Sequence, residues 1–184
     1  MEGVFRTRVG YAGGAKENPT YHHLGDHTET VEMDFDPRII SYEDLLNVFW
    51  KNHDPHGRPW SRQYMSAIFY HNEEQKKLAM ESLERERSTK GAVVYTEILP
   101  ASEFYSAEDY HQKYYLRQRM GIVGALKGVF PSEDGFIAST AAARLNGYFA
   151  GYLSLADLEA GLKNSGLSAE DKKRILDSVH ASVH

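Results

Sequence analysis

At 184 residues, 41% hydrophobic and 26% charged, the chain has the length and balance of one good-sized globular domain with room for a small appendage. Its formal net charge of −5 argues against a nucleic-acid binder, which needs a basic face for phosphates. No run of about 18 apolar residues offers a membrane span. The absence of cysteine removes disulfides, thiolate nucleophiles and Cys-ligated zinc. Nine histidines, twelve tyrosines and the carboxylates are left to supply polar chemistry.

In chain order, Val4 to Tyr11 alternates as a short strand and stops at the turn Gly13-Gly14. A loop follows to Asp26, punctuated by Asn18-Pro19 and Gly25-Asp26. Val31, Met33 and Phe35 alternate with Glu32, Asp34 and Asp36, which predicts a half-buried strand with its apolar face inward, ended by Pro37. Ser41 caps a helix whose buried stripe is Leu45, Leu46, Phe49 and Trp50. After a loop from Asn52 to Trp60, Met65 to Tyr70 reads as a strand. Asn72, with Gln75 three residues on, opens a charged helix to about Arg87, with Leu78 and Leu83 on its inner side.

Ala92 to Leu99 is a predicted strand ended by Pro100, and Ser106 with Asp109 predicts a helix carrying Tyr110, Tyr114 and Leu116. Beyond Gly121 strand signals vanish, and helix starts fall at Ser154 and Ser168. Mixed strands and helices followed by helices alone predict an α+β fold, a mixed two-layer sandwich over residues 1–120, with a helical extension over 121–184.

By position alone, Glu29 is a solvated carboxylate heading a strand, and Tyr21 and Tyr64 are core or rim aromatics. His23 and His27 stand four apart, but Gly25 and the turn composition oppose the helix that would make them joint metal ligands. No His-Glu-x-x-His pattern occurs. Gly13-Gly14 lacks the spacing of a phosphate loop and reads as a tight turn.

Several segments, in order, resemble the peptide methionine sulfoxide reductase A family. They include Val9-Gly10-Tyr11-Ala12-Gly13-Gly14, Asn18-Pro19-Thr20-Tyr21, His27-Thr28-Glu29, Val48-Phe49-Trp50-Lys51-Asn52-His53-Asp54-Pro55, Gln63-Tyr64-Met65-Ser66-Ala67-Ile68 and Phe104 through Tyr114. The resemblance implies a ferredoxin-like sandwich and thiol-dependent reduction of methionine S-sulfoxide, free or in oxidised proteins. It implies no prosthetic cofactor; the expected reductant is an external thiol such as thioredoxin. Glu29 matches the family's acid, and Tyr21 and Tyr64 match the two tyrosines that bind the sulfoxide oxygen. Such an acid works protonated, a state that burial favours.

The family's nucleophilic cysteine lies in a Gly-Cys-Phe-Trp motif ahead of the Gly-Tyr-Ala-Gly-Gly segment. This chain begins too late to contain it, so an N-terminally truncated domain, inactive as written, is expected. The aspartate that usually precedes the second tyrosine falls at Pro59 here, and the loop from Tyr21 to Glu29 is shorter than usual, which marks a divergent subgroup. A cytoplasmic monomer is expected, since Met1 to Arg8 shows no signal-peptide pattern. Two alternatives differ in class: a sulfoxide-binding protein without turnover, and a metal-dependent hydrolase using the histidines and Glu29, which the motif order disfavours.

Overall fold

The structure is a computed structural model that describes residues 1–91 and 93–182. It is mixed α and β, as expected, and divides into two compact units. One comprises Gly10–Thr30 and Pro37–Ala107; the other comprises Met1–Val9, Val31–Asp36 and Glu108–His184. Strands β1 (Val4–Ala12) and β2 (Thr28–Phe35) each run from one unit into the other.

The first unit holds α1 (Tyr42–Lys51), β3 (Ala67–Tyr70), α2 (Glu73–Lys90), β4 (Glu97–Pro100) and β5 (Tyr105–Ser106). Strand β5 pairs antiparallel with the end of β1, Gly10 opposite Ser106 and Tyr11 opposite Tyr105. Strands β3 and β4 pair in parallel, from Ala67 opposite Glu97 to Tyr70 opposite Pro100. A parallel pair needs a crossover, which α2 supplies. Helix α1 starts at a complete capping box of Ser41 and Asp44, and α2 starts where the Asn72 side chain accepts from the Gln75 amide. One apolar cluster joins these elements: Leu46, Ile68 and Ala79 are buried, with Phe49, Trp50, Leu78 and Ile98 partly buried around them.

The second unit is mostly helical, with α3 (Tyr114–Arg117), α4 (Met120–Val129), α5 (Glu133–Ala138), α6 (Thr140–Phe149), α7 (Leu155–Leu162) and α8 (Ala169–Ala181). Serines 132, 139, 154 and 168 cap four of these helices through their side chains. The helices close on a continuous core in which Leu116, Leu126, Phe136, Leu145, Leu158 and Ile175 are fully buried.

Three expectations need correction. In β2 the apolar face is the open one: Val31 and Met33 are exposed, while Glu32 and Asp34 are half-buried. The cause is β1, which presents Arg8 and Arg6 to form ion pairs with Glu32 and Asp34. The strand expected over Ala92–Leu99 begins only at Glu97. Ala92 lies outside the described residues, and Val93 and Tyr95 give their backbone groups to His56 and Pro55 instead. The helix expected from Ser106 begins at Tyr114, because Ser106 ends β5 and Lys113 takes a left-handed conformation at φ 54°. That residue's ammonium is held inward by the carbonyl and hydroxyl of Thr7.

Candidate active site

Tyr21, Glu29 and Tyr64 all belong to the first unit and come from three different pieces of chain. Tyr21 lies in the loop between β1 and β2, Glu29 is the second residue of β2, and Tyr64 ends the 3-10 turn Arg62–Tyr64. Gln63 joins them. Its Nε2 donates to Glu29 Oε1 at 2.7 Å and to the Tyr64 hydroxyl at 3.1 Å. The carboxylate and the phenol oxygen are therefore no further apart than those two bonds laid end to end. The Tyr64 hydroxyl is also hydrogen-bonded to Tyr21.

That bond to Tyr21 is the first reason the Tyr64 phenol is held above its ordinary pKa. Partial desolvation and the nearby Glu29 carboxylate push the same way, and the Gln63 amide pulls slightly against them. The phenol consequently keeps its proton through the neutral range. Glu29 is exposed.

The loop that delivers Tyr21 is clipped at both ends. Asp26 accepts from the amides of Ala15 and Lys16, and the Ala15 amide above all holds its carboxyl below the usual range. His27, only 1% exposed, accepts at Nδ1 from Gly14 (3.2 Å) and donates from Nε2 to the Lys16 carbonyl (2.7 Å). Gly13 turns at φ +80°, and a side chain at Gly14 would meet Asp26 Oδ1 at 2.6 Å. Arg62 ties the 3-10 turn to the loop, donating to the carbonyls of Asp26 (2.7 Å) and Gly13 (3.1 Å). Thr28 adds a bond from its hydroxyl to the Gln63 carbonyl at 2.9 Å.

Among the described residues, no three His, Asp or Glu side chains are placed to hold a metal ion. The histidines are engaged elsewhere: His53 with the Phe49 carbonyl and the Thr96 hydroxyl, His56 with the Val93 carbonyl. Among the described residues, no helix is long and apolar enough to cross a membrane.

A carboxyl and two phenols linked through one amide can donate hydrogen bonds to an oxygen that gathers negative charge. Sequence reasoning passed over Gln63, the amide that connects them. Its place beside Tyr64 in a tight turn is the signal that was available.

Comparison with known proteins gives the family. The family model for peptide methionine sulfoxide reductase matches residues 1–133. A peptide methionine sulfoxide reductase of Drosophila melanogaster is 42% identical over 174 residues, covering 93% of this chain and 69% of that protein. Peptide methionine sulfoxide reductase A5 of Arabidopsis thaliana is 42% identical over 156 residues, covering 82% of this chain and 61% of its own length. Among solved structures, methionine sulfoxide reductase A of Corynebacterium diphtheriae is 35% identical with a TM-score of 0.57, covering 65% of this chain and 66% of that one. The chain thus spans between 61% and 69% of the length of these three proteins. It belongs to the peptide methionine sulfoxide reductase A family.

Proposed function

We propose that this chain forms the sulfoxide-binding body of a peptide-methionine (S)-S-oxide reductase and is inactive alone, because the reaction needs a thiolate and the chain has no cysteine. The substrates would be oxidised proteins or free methionine sulfoxide. In the reaction a thiolate attacks the sulfoxide sulfur, and the sulfur–oxygen bond breaks as the oxygen moves to the attacking sulfur. Methionine leaves, and a sulfenic acid stays on the thiol. A second thiol then forms a disulfide and releases water, and an external dithiol such as thioredoxin reduces that disulfide.

Tyr21 and Tyr64 would hold the sulfoxide oxygen, and Glu29 would supply its proton. The observation that carries this reading is the unbroken chain Glu29–Gln63–Tyr64–Tyr21. Residues 121–184 would be a helical extension of the reductase domain. A cytoplasmic monomer without prosthetic group completes the proposal.

The test compares dithiothreitol-driven reduction of a methionine S-sulfoxide by this chain and by the same chain fused to a Gly-Cys-Phe-Trp segment at its N-terminus. Activity confined to the fusion is the expected result. Turnover by the bare chain would overturn the thiol mechanism. A folded fusion that binds no sulfoxide would remove the site assignment.

A further inference from the structure

The residue that stands out beside this site is Trp60. It is 81% exposed, and its ring lies 4.9 Å from that of Tyr64 at a tilt of 33°. The other tryptophan is treated differently: Trp50 is partly buried, and its Nε1 donates to the Ser82 hydroxyl at 2.9 Å. Leaving an indole in water opposes folding, since its large apolar surface gains when covered.

The backbone holds Trp60 where it is. Before it, Pro55 accepts from the Tyr95 amide and His56 bonds the Val93 carbonyl. Pro59 has its own φ fixed by its ring. After it, Arg62 is tied to Asp26 and Gly13. The indole is thus displayed from a pinned segment at the rim of the site.

Resting on the function proposed above, we propose that Trp60 is a substrate-selecting subsite that receives an apolar side chain next to the oxidised methionine in a peptide. A methionine sulfoxide whose oxygen reaches the Tyr64 hydroxyl leaves its own backbone at the mouth of the site. Neighbouring residues follow at intervals of about 3.8 Å along that backbone, within reach of an indole already stacked on Tyr64. The flat face offers dispersion and desolvation to an aliphatic or aromatic group, and little to a glycine. Tryptophan is among the residue types in which recognition energy concentrates once a ligand covers it. Trp60 therefore separates peptide-borne sulfoxide with apolar neighbours from the free amino acid.

Because the chain has no cysteine, binding is read without turnover. Three ligands are titrated by calorimetry: free methionine S-sulfoxide, a blocked tripeptide with that residue between two glycines, and one with it between two leucines. The leucine peptide is expected to bind about tenfold more tightly than the glycine peptide. Trp60→Ala should abolish that preference while leaving the glycine peptide unchanged, and Trp60→Phe should keep most of it. A Trp60→Ala protein that retains the preference overturns the inference. So does one that weakens all three ligands equally, since Trp60 would then act only by steadying Tyr64. If the unaltered chain binds none of the three, the oxygen site itself fails, and this inference with it.

Discussion

The two compact units of this chain are built on opposite principles. The unit holding residues 108–182 buries a continuous cluster of leucine, isoleucine, valine and phenylalanine between helices with side-chain caps. Around Tyr21, Glu29 and Tyr64 the other unit shapes its loops with polar clips, beside a small apolar cluster that includes Leu46, Ile68 and Ala79. Apolar packing is non-directional and tolerates variation in detail. Hydrogen bonds set particular atoms at particular distances. The difference teaches that apolar adhesion alone can close a helical unit, whereas placing site residues takes directional bonds as well.

Three changes sharpen or break that contrast. Glu29→Gln, made in the cysteine-bearing fusion, removes the proton donor proposed above and should lower kcat/KM by about a hundredfold to ten-thousandfold. Its melting temperature should stay near that of the parent, since Glu29 is exposed. A large loss of stability with this change would show that the polar clips also bear the fold. Leu145→Ala does the reverse. It removes a fully buried side chain from the helical core and should cost about 2–5 kcal/mol in urea unfolding, while sulfoxide binding at low temperature persists.

The third concerns Lys113, a residue only 5% exposed whose ammonium feels the charges of Arg117 and Arg8, so that burial first and those charges second lower its pKa to about 8. The sign follows from the protons bound. Between about pH 8 and the unfolded lysine's value near 10.4, the unfolded chain keeps this proton and the folded chain loses it. Stability from this group therefore rises with pH across that window, by up to roughly 3 kcal/mol. Lys113→Met should flatten the rise, read as the difference in urea midpoint between the two proteins from pH 8 to 9.5. Identical pH profiles would show that Lys113 is not desolvated in the folded protein.

Much of this organisation was legible in the sequence because its signals are local. Ser41, Asn72, Ser154 and Ser168 announced four helices, since a cap needs only a hydroxyl or amide and the next turn. The inverted faces of β2 were not legible. Alternation gives the period of a strand, but which side is covered depended on Arg6 and Arg8, more than twenty residues away. The late start of α3 depended on Lys113 reaching Thr7, a contact 106 positions apart in sequence. The ordered motifs pointed to the family, and the link through Gln63 emerged only once Glu29 and Tyr64 were seen to share one amide.

The clipped loop between β1 and β2 has a thermodynamic consequence. Ordering a residue costs about 1–2 kcal/mol of backbone entropy, and here Asp26, His27 and Arg62 arrange for that cost to fall on folding instead of on ligand capture. On the function proposed above, a sulfoxide arriving at Tyr21 would meet a loop already in place, so its binding entropy would reflect the ligand's own lost motion and little of the protein's. Breaking one clip, as in Asp26→Ala, would return that disorder to the unbound state. The affinity would then fall through the entropy of binding, with every hydrogen bond to the ligand still available.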